Sequence, residues 1–204
     1  PLLRIVWETL ILPFYLRKVS TDVFFCPGGI VPRFSFGKWN TVTMFRNMIP
    51  FDITQRKKYP LGYMRVRNWL LSKSLMWSME NADLVIFISE YAKDVILKAT
   101  KRSIKKHIVI PHGVSKDFIN VKFGTKLKSL YQKPYLLYPS IIDVYKSQKE
   151  VVQAISILRK KNIEVPLLLM VGEIYGVYGK EVQAMIVEEK LLAHVKLTGP
   201  IAYK

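Results

Sequence analysis

Short apolar runs alternate along the chain with stretches whose apolar residues recur every three or four positions, the patterns of buried strands and amphipathic helices respectively. Residues 2–18 place Ile5, Val6, Leu10 and Leu12 at helical spacing until Pro13 interrupts them, which predicts a helix with a kink or an early stop. Residues 23–26 and 41–45, rich in β-branched and aromatic side chains, predict two strands. The first is closed by Pro27, Gly28 and Gly29, and a basic, aromatic loop, VPRFSFGKWN, leads to the second. A long helical pattern follows over residues 63–81, with Val66, Trp69, Leu70, Lys73, Trp77 and Glu80 mixing core and surface positions. DLVIFIS, residues 83–89, is the strongest strand pattern, EYAKDVILKAT the helix after it, residues 107–110 a further strand, and Pro111, His112 and Gly113 a turn.

A lysine-rich, weakly patterned stretch at residues 117–133 predicts an interdomain linker, dividing the chain into residues 1–116 and 134–204. Beyond it, Tyr135, Leu136, Leu137 and Tyr138 read as a central strand of a parallel sheet, covered on both faces and ended by Pro139. Ser140 and Asp143 suit a turn in which each bonds nearby backbone, and Ser147 with Glu150 three residues on matches a capping box. Lys146 then stands at the mouth of a helix whose free N–H groups and dipole favour anions. By itself the lysine is either a phosphate clamp or a solvated turn residue. Residues 150–161 and 180–192 predict helices, and residues 165–172 and 195–198 strands, the last two ending in Gly172 and at Gly199. Strands and helices alternate on both sides of the linker, which predicts an α/β protein with two Rossmann-like parallel-sheet domains, both incomplete.

Half of the 204 residues are hydrophobic, enough for a packed core. The net charge is +17, and it is spread: residues 1–119 hold 19 basic and 8 acidic side chains, the remainder 13 and 7. Such a surface suits anionic partners, whether nucleic acid, phospholipid headgroups or phosphorylated substrates. Arg56, Lys57 and Lys58 near Tyr59 and Tyr63, with Trp39, Trp69 and Trp77, support a module that binds nucleic acid or anionic membrane, although most of these aromatics sit at core spacing. Cys26 is the single cysteine, which excludes an intrachain disulfide and fits a buried structural thiol in a reducing compartment. No uncharged apolar run reaches the roughly 20 residues needed to span a bilayer. No Cys/His cluster has metal-ligand spacing, and neither G-x-G-x-x-G after a strand nor G-x-S-x-G occurs.

Five segments in order, ADLVIFISEYAKDVI, HIVIPHGVSKDF, YLLYPSIIDVYKSQKEVVQAI, PLLLMVGE and VKLTGPI, resemble the retaining glycosyltransferases of family 4, which have the two-domain GT-B fold. The match covers residues 83–201, with a looser one over residues 20–60. The resemblance implies transfer of a sugar from a nucleotide-diphosphate-sugar donor to an acceptor hydroxyl with retention, in the synthesis of cell-surface polysaccharide or glycolipid. It implies no cofactor and no metal, a carbohydrate or lipid-linked acceptor, a cytoplasmic location with peripheral association at the inner face of an anionic membrane, and no nucleic-acid partner. Lys146 matches the lysine that binds the donor diphosphate, Gly172, Glu173, Gly199 and Pro200 face the nucleotide, and Arg46, Asn47, His112 and Gly113 are cleft residues of the N-terminal domain. No residue is assigned a catalytic role.

Two departures stand out. Ser140 falls about where many members place an arginine that shares the diphosphate, and Arg46 and Asn47 fall where many have a His-Asp pair. An arginine cannot serve as a base near neutral pH, yet it can clamp a phosphate or carboxylate, and Asn47 can bond a sugar hydroxyl. These departures also fit an inactive relative. The family's glycine-rich loop near the start and the Glu pair separated by seven residues, which holds donor sugar and ribose, are expected outside these residues. The chain is therefore expected to be part of a longer enzyme and to have little transferase activity alone.

Overall fold

The computed structural model describes residues 6–31, 39–59, 61–119 and 133–201. The chain divides into two compact units, Pro1–Asn120 and Val121–Lys204, each described by itself. Of the expected linker at residues 117–133, residues 120–132 lie outside the described residues, and residues 116–119 form a single helical turn.

The N-terminal unit is built on a four-stranded, wholly parallel sheet, β1 (Val23–Cys26), β2 (Asn40–Phe45), β3 (Leu84–Phe87) and β4 (His107–Val109), paired in chain order. A five-residue π-helical turn, Trp7–Ile11, runs directly into helix α1 (Leu12–Lys18). The expected break at Pro13 thus takes the form of a widened turn just before it, since proline lacks an N–H and fits the start of a new α-helical segment. Helix α2 (Ile53–Lys58) is capped by Asp52, which accepts a 3.0 Å bond from the Gln55 N–H. Helix α3 (Tyr63–Asn81) buries Asn68, Leu75, Ser78 and Met79 and leaves Val66, Trp69 and Leu70 exposed. Helix α4 (Glu90–Ala99) starts at Ser89, whose hydroxyl accepts from the Ala92 N–H at 3.2 Å.

The core of this unit gathers Phe45, Phe87, Val85, Leu75, Met79 and Ile96. Phe45 packs edge-on against Phe87 and Phe51, with centroids 6.1 and 5.4 Å apart. Each such side chain contributes about 1.5–3 kcal/mol by leaving water, and the packing fixes where β2 and β3 end. Asp83, at the amino edge of β3, accepts from the Thr41 N–H at 2.8 Å and from the Lys105 ammonium at 3.1 Å. The backbone bond first, and the lysine after it, hold its carboxyl below the usual range against the opposing effect of burial.

The C-terminal unit has a three-stranded parallel sheet, β5 (Tyr135–Pro139), β6 (Leu167–Val171) and β7 (Val195–Gly199). The 3-10 turn Val144–Lys146 and helix α6 (Gln148–Lys160) follow β5, and helix α7 (Gly176–Glu188) links β6 to β7; the turn at residues 116–119 counts as α5. Ile142, Val152, Ile155, Met170, Val182 and Ile186 form its core. Two expectations are corrected here. Among the described residues β5 is an edge strand, not a central one, and Leu136 and Leu137 are 46% and 58% exposed. Ser147 does not close a capping box with Glu150: it sits in the left-handed region at φ +58° and makes no side-chain cap bond, because the preceding 3-10 turn delivers the chain to the helix in that conformation.

Candidate functional site

All four strands of the N-terminal unit end on the same side, as parallel strands must, and the loop leaving each one contributes to a cavity of about 580 Å³. Gly28 follows β1, Arg46 and Asn47 follow β2, Ile88 follows β3 and His112 follows β4, while Leu71 and Leu75 of α3 supply an apolar wall. The carboxyl end of a parallel sheet is where α/β proteins commonly bind ligands. The structure therefore brings together Arg46, Asn47 and His112, three residues singled out by sequence, and leaves Gly113 outside this lining.

Local bonds set these positions. The Asn47 side-chain carbonyl accepts from the Ile49 N–H at 3.2 Å, which fixes its orientation and leaves its NH2 as a donor. Gly29 has φ +85°, a conformation side chains adopt only under strain, and a Cβ there would lie 2.7 Å from Leu75 Cδ2, so a larger residue would strain the loop after β1 and displace Leu75 on α3. The Val31 N–H donates to the buried Ser78 hydroxyl at 3.1 Å and ties the same loop to α3. Cys26, at the end of β1, has its thiol pushed up to about 11, chiefly by burial and secondarily by the charge of Glu8. It is a packing residue rather than a nucleophile.

In the C-terminal unit the remaining candidates likewise cluster at the carboxyl ends of the strands. Ser140 donates from its N–H to the Val171 carbonyl at 2.8 Å, and the Ile142 N–H donates to Glu173 at 2.8 Å, so the loops after β5 and β6 continue the parallel pairing. The Gly172 N–H donates to the Gly199 carbonyl at 3.1 Å, which joins the loop after β7 to the same group, with Pro200 exposed beside it. Gly172 has φ +153°, and an added Cβ would lie 2.1 Å from the Ser140 carbonyl oxygen. The Ser140 hydroxyl donates to the Ile141 carbonyl at 3.0 Å, and the Asp143 carboxylate accepts from the Val144 N–H at 2.7 Å.

Lys146 closes the 3-10 turn. Its backbone carbonyl accepts from the Tyr138 hydroxyl, and its ammonium lies 4.9 Å from the centroid of the Tyr145 ring, a cation–π distance. The Tyr145 hydroxyl is pushed above its ordinary range by burial and then by the Asp143 charge, so the ring stays neutral beneath the lysine. The helix mouth is less free than its pattern implied, because the Lys149 N–H already donates to the Tyr178 hydroxyl at 3.1 Å. Sequence reasoning missed Tyr178, since the contact spans 29 residues of chain. It also missed the fully buried Gln148, whose side-chain NH2 donates to the Ile141 carbonyl at 2.8 Å and whose side-chain oxygen has no partner among the described residues. Gly28, next to a strand end in a Pro-Gly-Gly run, carried a usable signal; Leu71 and Leu75 carried none beyond helical spacing. Among the described residues no group of three or more His, Cys, Asp or Glu side chains is placed to hold a metal ion.

No protein-family model matches the sequence, and no curated protein sequence does. Solved structures match by fold. A glycosyltransferase from Rickettsia africae is 18% identical with a TM-score of 0.64, covering 97% of this chain and 52% of its own. Sucrose-phosphate synthase from Thermosynechococcus elongatus is 16% identical with a TM-score of 0.61, over 93% of this chain and 48% of its own. HepE from Anabaena, in complex with UDP-glucose, is 16% identical with a TM-score of 0.55, over 81% and 43%. The chain thus spans about half the length of these proteins. What it shares with them is an α/β fold of two Rossmann-like parallel-sheet units, as in the GT-B type expected from the sequence.

Proposed function

We propose that the chain is part of a retaining glycosyltransferase of the family 4 type, moving a sugar from a nucleotide-diphosphate donor to an acceptor hydroxyl without a metal. The observation that carries the proposal is the fold, shared over 97% of the chain with a glycosyltransferase and over 81% with a protein holding UDP-glucose. The placement of every candidate residue at a strand carboxyl end supports it. Lys146 would hold the donor diphosphate, with Ser140, Gly172, Glu173, Gly199 and Pro200 around the nucleotide. As the glycosidic bond breaks, negative charge grows on the leaving diphosphate, and a fixed ammonium stabilises it. Ser140 cannot replace the charge of an arginine, so the clamp has one cationic arm.

The test is calorimetric titration of the 204-residue chain with a panel of nucleoside diphosphates and with UDP-glucose. Lys146→Ala is expected to weaken binding about tenfold or more, the scale of one hydrogen bond to a charged group. Nucleotide binding that ignores the substitution would remove Lys146 from the site, and no binding at all would sink the proposal.

The acceptor would be a carbohydrate or a lipid-linked sugar at the inner face of a membrane. Trp7, Leu10, Phe14 and Tyr15 are exposed along the helical segment that ends in Arg17 and Lys18, a combination that suits an anionic bilayer surface. Among the described residues no helix is long and apolar enough to cross a membrane. The chain is expected to sediment with anionic liposomes and not to retain DNA at physiological salt; the reverse result would favour a nucleic-acid-binding module.

A further inference from the structure

The cavity of the N-terminal unit is chemically one-sided. Arg46, Asn47 and His112 are its polar lining, and among the described residues none that lines it is acidic. Among the described residues no carboxylate pairs with Arg46, whereas Lys93, Lys105, Lys149 and Lys160 have partners in Glu90, Asp83, Glu181 and Glu189. Arg46 is exposed and stands directly after the last residue of β2, where Phe45 is fully buried and paired in register with Phe87. Its backbone is therefore held by the sheet while its side chain is free to meet a ligand.

A guanidinium presents a planar fork of donors that matches a carboxylate or a phosphate, and it is always charged. Asn47, its carbonyl committed to Ile49, offers NH2 donors to hydroxyl oxygens. Leu71, Leu75 and Ile88 present an apolar wall suited to the carbon face of a sugar ring. The volume of about 580 Å³ falls in the range of small-molecule sites, roughly 300–1,000 Å³, with room for a ring and a charged substituent. A neutral sugar would leave the Arg46 charge unmatched.

Taking the transferase assignment above as given, we infer that this cavity binds a sugar carrying a carboxylate or phosphate, with Arg46 as its anion clamp, Asn47 on a hydroxyl and His112 completing the polar side. The nucleotide diphosphate is assigned to the Lys146 turn of the other unit, so the charge read by Arg46 is that of a separate ligand, the acidic acceptor sugar.

The test titrates the 204-residue chain with glucose, glucuronate, glucose 6-phosphate and inorganic phosphate, and separately with UDP, UDP-glucose and UDP-glucuronate. The acidic sugars are expected to bind at least about tenfold tighter than glucose, a preference on the scale of one charge-assisted contact. Arg46→Gln should abolish that preference, and Arg46→Lys should restore part of it, keeping the charge without the fork. Lys146→Ala should leave it intact. Arg46 is exposed, so the variants are expected to keep the wild-type circular dichroism spectrum.

Equal binding of the two nucleotide sugars, with the free acidic sugars still preferred, supports the inference. A preference for UDP-glucuronate over UDP-glucose without any preference among the free sugars overturns it. Equal affinity for acidic and neutral sugars, a preference that survives Arg46→Gln, or inorganic phosphate binding as tightly as glucose 6-phosphate overturns the inference. Nucleotide binding that depends on Lys146 without any acidic-sugar preference sinks this inference alone, whereas absence of nucleotide binding sinks the transferase assignment.

Discussion

Gly172→Ala offers a quantitative test of how the C-terminal unit is held together. The new Cβ would lie 2.1 Å from the Ser140 carbonyl oxygen, 2.5 Å from its carbonyl carbon and 2.9 Å from the Ile141 nitrogen. All three are backbone atoms, so no rotamer change relieves the overlap. The backbone at φ +153° is itself one that alanine adopts only under strain, at about 1–3 kcal/mol. Forcing the loops after β5 and β6 apart adds overpacking of about 1–3 kcal/mol and pulls on the Ser140-to-Val171 and Ile142-to-Glu173 bonds, both 2.8 Å. A total of about 2–6 kcal/mol corresponds to a fall in Tm of roughly 8 °C or more for a unit of this size. Gly199→Ala is the internal control: it has φ +72° but open space around the added carbon, so it should lose only about 1–2 kcal/mol. Thermal unfolding of both variants in the same 204-residue chain, followed by circular dichroism, isolates the steric contribution as their difference. A Gly172→Ala protein as stable as Gly199→Ala would refute the close packing of these two loops.

The remaining predictions concern charge. Asp83→Ala removes the acceptor of the Thr41 N–H and the partner of Lys105. The Asp83 side chain is 40% exposed, so solvent screening keeps the loss to about 1 kcal/mol or less. Because the folded carboxyl is held below its usual range, its contribution is present above the ordinary aspartate pKa near 4 and is lost as pH falls through the lower folded value. Urea melts of wild type and variant should differ by a constant amount between pH 6 and 8 and converge in acid; a gap that widens on acidification would contradict that sign. Loss of nucleotide affinity in Lys146→Ala, retention by anionic liposomes, and loss of acidic-sugar preference in Arg46→Gln carry the functional assignments given above.

Much of the architecture was legible because a parallel strand under helices writes itself as an apolar run. β1, β2 and β3 coincide closely with the runs at residues 23–26, 41–45 and 83–89, and α3 spans the expected residues 63–81. That β5 has a single neighbour among the described residues was not legible, since Tyr135 to Tyr138 have the same composition whether one neighbour or two flank them; neighbour count belongs to the sheet. The Ser-x-x-Glu pattern at Ser147 was satisfied in letters only, because cap geometry depends on the φ angle at which the chain enters, here +58°. Arg46, Asn47 and His112 could be nominated from their places after strands. Leu71 and Leu75 could not, because which face of α3 overlies the strand ends is decided by packing.

Each polar residue of the N-terminal cavity lies just beyond a strand, outside the register that pairs the sheet. Under the proposed assignment, stability and ligand choice are encoded at separate positions. Residues 46, 47 and 112 can be exchanged one at a time without removing a ladder hydrogen bond or a core side chain. A change of the proposed ligand preference would then be reachable through single substitutions that leave folding nearly untouched, whereas a side chain at position 29 meets both a left-handed φ of +85° and the Leu75 side chain.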